Sequence, residues 1–140
     1  RFSRIVTSPP YLGMRTYLPD QWLRNWALGG EPTPEYALSG QISSQRPETF
    51  AKELADAWTA ISERCLPGAR MTVRFGALPS IPIDPSDLIE ESLRRCKASW
   101  EVVEVRSAGE AHNGRRQADQ FAPEASDPIA EKDIVAILNA

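Results

Sequence analysis

The chain has 140 residues, which suffices for one domain with a core of its own but is short for two. Hydrophobic residues make up 41% of it and charged residues 25%, and no apolar run approaches the roughly 20 residues of a membrane span. These values exclude a membrane-spanning chain and favour a cytoplasmic one with no membrane partner. The net charge of -3 neither indicates nor excludes nucleic-acid binding, because local patches matter more than the total.

The first third of the sequence predicts a strand, a helix and a long loop. Residues 4–7 form a short apolar segment that we expect to be a buried strand, and Ser8-Pro9-Pro10 must end it because proline lacks an N–H and has a fixed φ. Residues 18–28 repeat apolar side chains at helical spacing and predict a helix, with Trp26 in the core. Residues 29–45 are rich in Gly, Pro and Ser and predict a loop.

The middle of the chain predicts the strongest helix, over residues 47–66, followed by a strand. The Leu-Pro-Gly-Ala segment at 66–69 is expected to end the helix, and Met71, Val73 and Phe75 then alternate with polar residues as in a strand. The helix carries one apolar stripe, made of Phe50, Leu54, Trp58, Ile61 and Cys65.

The last third predicts a helix and two strands. Residues 83–96 form the helix, with Asp84 or Ser86 as its N-cap. Residues 100–106 and 133–138 predict strands, and the polar segment 108–127 between them predicts irregular structure. The two cysteines, Cys65 and Cys96, match no metal spacing and are expected to be packed thiols.

Alternating strands and helices predict an α/β fold with a mostly parallel, doubly wound sheet. The last two strands have no helix between them, so we expect them to pair antiparallel. Four strands are half of such a sheet, and the chain starts without Met directly before a strand. We therefore expect residues 1–140 to be a single domain that is part of a longer polypeptide.

The turn after the first strand combines groups suited to a planar amine. In doubly wound sheets, ligands bind beyond the carboxyl ends of the strands, where this turn is expected. Ser8 offers a hydroxyl, Pro9 a carbonyl oxygen directed by the next ring, and Tyr11 a flat face for stacking. Two fixed acceptors can orient a conjugated, weakly nucleophilic NH2 group for attack on a methyl donor, provided that a base in a duplex first leaves the stack.

The sequence Thr-Ser-Pro-Pro-Tyr at residues 7–11 resembles the catalytic motif of the S-adenosyl-L-methionine-dependent amino-methyltransferases, (Asp/Asn/Ser)-Pro-Pro-(Tyr/Phe). It is similar to the form found in DNA methyltransferases that act on the 4-amino group of cytosine. The resemblance implies that Ser8 and the Pro9 carbonyl hold the target amine, that Pro10 stiffens the turn, and that Tyr11 stacks on the flipped base. It also implies a Rossmann-like methyltransferase sheet whose last two strands are antiparallel.

Several alternatives to the cytosine enzyme stay open. Adenine methylated at its 6-amino group is the nearest, because the motif chemistry is the same. An RNA guanine 2-amino methyltransferase more often begins this motif with Asp or Asn, so Ser8 argues mildly against it. A non-catalytic module derived from a methyltransferase, binding DNA or a protein, is a further alternative.

Other residues are candidates for contacts with DNA. Arg15 lies four residues beyond Tyr11 and could contact a phosphate, while Tyr17 and Trp22 could stack on bases or belong to the core. The resemblance to the methyltransferase family places Arg115 and Arg116 in a loop where family members often carry basic residues. Together these residues define a predicted DNA-binding region around the motif.

The cofactor half of the family pattern is missing from this sequence. The family's site for S-adenosyl-L-methionine needs a Phe-x-Gly-x-Gly turn after a strand, but the chain contains no Gly-x-Gly, and Gly29-Gly30 follows a predicted helix. We therefore expect the cofactor to bind mostly outside this chain, on the remaining half of the methyltransferase in the parent chain or in another subunit. The 140 residues alone are expected to be inactive.

Overall fold

The computed structural model describes residues 1–13, 22–33, 42, 46–76, 83–110 and 130–139. Within these ranges the sheet contains four strands, β1 (Phe2–Thr7), β2 (Cys65–Gly76), β3 (Trp100–Glu110) and β4 (Ala130–Leu138). The helices within the described ranges are α1 (Trp22–Ala27), α2 (Pro47–Ser62) and α3 (Pro85–Arg95).

The sheet is mixed, with the strand order β1-β2-β4-β3. β1 pairs parallel with β2, whereas β4 lies antiparallel between β2 and β3. The predicted antiparallel pairing of the last two strands is therefore confirmed. The prediction of a mostly parallel sheet is correct for strand direction, since β1, β2 and β3 run the same way, but wrong for pairing, because β4 separates β2 from β3. The carboxyl ends of β1, β2 and β3 thus share one edge of the sheet with the amino end of β4, and this edge is called the carboxyl edge below.

α2 ends earlier than the sequence predicts. It runs to Ser62 instead of residue 66, and Cys65 already pairs with Phe2 as the start of β2. The Phe2 N–H donates to the Arg64 carbonyl at 2.8 Å. The apolar period alone would continue the helix, but pairing with β1 determines where it ends.

The Leu-Pro-Gly-Ala segment lies inside β2 and does not form a boundary. Gly68 has a φ of +78°, which suits glycine, and the register of β1 against β2 shifts between Phe2 and Arg4. Pro67 and Gly68 are thus accommodated as an irregularity of the strand.

The core lies between the sheet and the helices α2 and α3, which pack against each other on one face of the sheet. Alternate residues of β2 and β4 point into it, as period-two patterning requires. The opposite face carries ion pairs, among them Arg74–Asp133 and Arg70–Glu104. The largest fully buried side chains include Phe50, Leu54, Met71, Phe75, Ile89 and Ile134.

Two predictions of burial are wrong. β1 is an edge strand, and the side chain of Val6 is 84% exposed and that of Phe2 64% exposed. α1 buries none of its residues, and Trp26 is 50% exposed instead of lying in the core. Helical spacing predicts one apolar stripe, but it does not determine whether another element covers that stripe.

Other local predictions are confirmed or adjusted slightly. Asp84 is the N-cap of α3, and its carboxylate accepts from the Ser86 N–H at 2.8 Å. β3 extends to Glu110, so residues 108–110 are strand and not irregular. Both cysteines are free thiols, and Cys65 is buried. Among the described helices, none is long and apolar enough to cross a membrane.

Candidate functional site

The Ser-Pro-Pro-Tyr turn leaves β1 at the carboxyl edge of the sheet. Thr7 pairs with Val73 as the last residue of the strand, and Leu12, only 2% exposed, enters the core just after the turn. The turn is therefore fixed at both ends. Between these anchors Pro9 is buried, whereas Ser8 is exposed.

One wall of an apolar cleft is formed by this turn and the other by α2. The cleft, called the α2 cleft below, has a volume of about 550 Å³, within the usual range of small-molecule sites. Residues 7–11 face the α2 side chains of Leu54, Ala57, Trp58 and Ile61 across it. Trp58 is held in place, because its Nε1–H donates to Ser92 Oγ at 2.9 Å.

A second cleft of about 520 Å³ lies on the sheet face opposite α2 and α3 and is called the sheet-face cleft. Its lining combines the end of β1 with polar side chains, namely Thr72 and Arg74 of β2 and Asp133 of β4. Ser8 lines both clefts, so its hydroxyl lies where the apolar and polar surfaces meet.

Arg74 and Asp133 form a two-pronged ion pair in the sheet-face cleft. Arg74 Nε and Nη2 donate to the two carboxylate oxygens of Asp133 at 2.8 Å each. The hydrogen bond from Arg74 lowers the pKa of Asp133, and the same bond raises the pKa of Arg74. Both groups are therefore charged at neutral pH, and their opposite charges offset each other in this wall.

Tyr11 is engaged at its ring and at its hydroxyl. The ring meets Phe75 in a T-shaped arrangement, with centroids 5.8 Å apart and planes at 84°. The hydroxyl donates to Glu131 Oε1 at the start of β4. The aromatic residue of the motif is thus held by the ends of two strands.

The amino end of α3 is also attached to β4. Lys132 Nζ donates to both carboxylate oxygens of Asp84, at 2.7 and 2.6 Å. Hydrogen bonds from Lys132 and Ser86 lower the pKa of Asp84 to about 2. Successive residues of β4 therefore contact the turn, the α3 cap and β2, since Glu131, Lys132 and Asp133 each bind a different element.

Ser8, Pro9, Pro10 and Tyr11 are consecutive in the turn, and all four line the α2 cleft. Trp22 lies on α1, is 36% exposed, and is not among the described residues that line the two clefts. The remaining predicted DNA contacts lie outside the described residues; they are Arg15, Tyr17, Arg115 and Arg116.

The site predicted from the sequence does not include Glu131, Phe75 or the α2 wall. A signal for Glu131 does exist, since an antiparallel last strand beside β2 must begin at the carboxyl edge. That inference needs the strand order, because the pairing of Glu131 with Gly76 depends on β4 lying next to β2.

The glycine pair does not form a strand-turn cofactor motif. Gly29 has a φ of +93°, and its N–H donates to the Trp26 carbonyl at 2.9 Å, while the Gly30 N–H donates to the Asn25 carbonyl at 2.8 Å. These are the bonds of a helix carboxyl terminus. Gly29-Gly30 therefore ends α1 and does not follow a strand.

Comparison with protein-family models, with curated proteins and with solved structures found no match to this chain.

Proposed function

We propose that this chain is the catalytic-motif half of an S-adenosyl-L-methionine-dependent DNA methyltransferase that methylates an exocyclic base amine, with the 4-amino group of cytosine as its target. The observation that carries the proposal is the position of the turn. Ser8-Pro9-Pro10-Tyr11 follows a strand of an α/β sheet at its carboxyl edge, and residues 7–11 line a cleft of about 550 Å³.

The element order gives further support. In the family that the motif resembles, the motif is followed by helix, strand, helix and an antiparallel final pair. From residue 47 onward the chain has α2, β2, α3 and the antiparallel pair β3 and β4. A Rossmann-like methyltransferase sheet is therefore part of the proposal.

In the proposed reaction the turn holds the nucleophile. The Ser8 hydroxyl and the Pro9 carbonyl accept hydrogen bonds from the two N–H groups of the target amine and orient its nitrogen, which is catalysis by positioning. Pro10 removes a backbone donor and restricts the direction of the Pro9 carbonyl. Tyr11 stacks on the flipped base. The methyl donor would be presented by groups outside this chain, since its sequence contains no Gly-x-Gly.

The edge of β1 is the proposed attachment site for the cofactor-binding half. β1 pairs only with β2 among the described strands, and Val6 is 84% exposed. An unpaired strand edge with exposed apolar side chains favours pairing with a further strand. We assign this edge to the remaining half of the methyltransferase, whether in the parent chain or in another subunit.

DNA is the proposed partner, in a cytoplasmic protein. Arg15, Arg115 and Arg116 are proposed to contact phosphates, and Tyr17 and Trp22 to contact bases. The exposure of Trp22 leaves its ring accessible for such a contact.

Mass spectrometry of nucleosides tests the function. The full-length protein is incubated with S-adenosyl-L-methionine and, in separate reactions, with DNA or RNA, and each nucleic acid is digested to nucleosides. We expect cytosine methylated at its 4-amino group. Adenine methylated at its 6-amino group would show that adenine, and not cytosine, is the target base. Guanine methylated in RNA would show that the substrate is RNA and not DNA. The absence of any methylated base in either nucleic acid would favour a non-catalytic module.

A further inference from the structure

We propose that Glu131 is a positioning residue for Tyr11, fixing the plane of the aromatic ring before the base arrives. The inference rests on the proposed function, because it concerns the ring assigned to base stacking. It adds a residue 120 positions away in sequence to the motif.

Contacts with Phe75 and Glu131 restrain different parts of the Tyr11 side chain. Phe75 meets the ring at a centroid distance of 5.8 Å, which limits rotation of the ring plane. Glu131 accepts from the hydroxyl, which fixes the far end of the ring. An edge contact alone leaves a ring free to swing about its first side-chain torsion, whereas a second contact at the hydroxyl prevents this.

The position of Glu131 follows from the sheet. It is the second residue of β4 and pairs with Gly76, the last residue of β2. Both Glu131 and Phe75 therefore belong to ordered strands at the carboxyl edge. A carboxylate on a strand is a more rigid acceptor than one on a loop, so the sheet restrains the ring through Glu131.

Tyr11 lines the α2 cleft together with the rest of the turn. A base that enters this cleft would meet a ring already in its stacking orientation. Ordering the ring in advance lowers the conformational entropy lost when the base stacks, and so favours the reactive geometry.

The contact is not needed to hold β4 in the sheet. Neighbouring residues already attach the strand elsewhere, with Lys132 bound to Asp84 and Asp133 bound to Arg74. Glu131 instead contacts the turn, and its effect is therefore expected on Tyr11 more than on the fold.

The test is a double-mutant cycle in the full-length protein. Glu131→Ala and Tyr11→Phe each remove the hydrogen bond, and Tyr11→Phe keeps the ring against Phe75. We expect each variant to lower kcat about tenfold with KM for DNA changed less than about twofold, the size expected for one hydrogen bond to a charged acceptor. The double variant should be no slower than either single variant, because both remove the same contact.

Two further variants separate positioning from a general effect of charge. Glu131→Gln keeps an acceptor oxygen and should restore kcat to within about threefold of wild type. Glu101→Ala removes an exposed carboxylate from β3 and serves as the matched control. A fluorescent 2-aminopurine at the target position reports stacking directly, and its emission should differ between wild type and Glu131→Ala but not between wild type and Glu101→Ala.

The outcomes distinguish this inference from the proposed function. Methylation by wild type with unchanged kcat in Glu131→Ala, or with losses that add in the double variant, would overturn the positioning role alone. Absence of methylation by wild type would overturn the proposed function and the role together.

Discussion

Ser8 lies exposed where two clefts meet, whereas Tyr11 in the same turn is tied to Phe75 and Glu131. A residue with no packing role can be replaced without disturbing the fold, but a residue with two tertiary contacts cannot. Tyr11→Ala would remove both contacts and lower stability together with activity. Tyr11→Phe is therefore the informative change at that position, and Ser8→Ala is the cleaner test of the motif.

We predict that Ser8→Ala lowers kcat for DNA methylation by at least about 100-fold, as expected for loss of a group that orients or stabilises the reacting atoms. Its free energy of unfolding should stay within about 0.5 kcal/mol of wild type, because the side chain is exposed. Steady-state kinetics and urea unfolding measure the two quantities. Ser3→Ala, an exposed serine on β1, is the control, and an unchanged kcat in Ser8→Ala would remove the assigned role.

Asp84 offers a test by pH. Hydrogen bonds from Lys132 and Ser86 lower its pKa in the folded protein from 3.8 to about 2. Because the folded pKa is depressed, the stabilisation is complete above the unfolded pKa and disappears as pH falls through the folded pKa. Asp84→Asn keeps an acceptor at the helix cap but loses the charge facing Lys132.

We therefore expect Asp84→Asn to be less stable than wild type at pH 7 by under about 1 kcal/mol, since both side chains are partly exposed and solvent screens the pair. The difference should shrink between about pH 4 and pH 2, where the carboxylate of the wild type becomes protonated. Urea unfolding of both proteins at each pH measures it. A difference that grew on acidification would contradict the assigned contact.

At the level of elements, local sequence patterns predicted which segments form helices and strands. Tertiary contacts determine where those helices and strands end and which of their faces are buried. The Asp84 cap and the alternation around Met71 are local signals, and the structure has both. Cys65 continues the helical period of α2 yet begins β2, because it pairs with Phe2. Glu131 was not predictable as a site residue, because its contact with Tyr11 depends on strand order and not on spacing.

The tryptophans of α1 and α2 test directly whether each helix buries its apolar face against the rest of the protein. Trp58 on α2 is 2% exposed and hydrogen-bonded to Ser92, whereas Trp26 on α1 is 50% exposed. We predict that Trp58→Ala lowers the free energy of unfolding by about 3–5 kcal/mol, and that Trp26→Ala changes it by less than about 0.5 kcal/mol. Urea unfolding followed by circular dichroism measures both. Equal losses would show that α1 packs more closely than the structure indicates.

For the whole molecule, the described residues provide one side of the proposed reaction. The turn lies at the carboxyl edge and lines both the α2 cleft and the sheet-face cleft, while the glycine pair ends a helix. The missing cofactor motif could be read from the sequence, since it contains no Gly-x-Gly. The exposed edge of β1 could not be predicted from the sequence, because a short apolar segment has the same pattern whether its strand lies at the edge or at the centre of a sheet.

We predict that the isolated 140-residue chain does not bind S-adenosyl-L-methionine at micromolar concentrations. Isothermal titration calorimetry is the measurement, with circular dichroism as the control that the chain is folded. The full-length protein should bind the cofactor under the same conditions. Tight binding by the isolated chain would mean that it holds an adenosyl site by some other means.

The position of β4 has a consequence for synthesis. β4 is made after the other three described strands, yet it lies between β2 and β3 and is the one described strand with which β3 pairs. During translation, β1 and β2 can pair as soon as both have been synthesised, but β3 cannot pair with β4 until β4 has been synthesised. The acceptor of the Tyr11 hydroxyl, Glu131, arrives with that strand. The aromatic side of the turn is therefore completed only after the sheet has closed around its last strand, and an unfinished chain carries Tyr11 without the carboxylate that holds it.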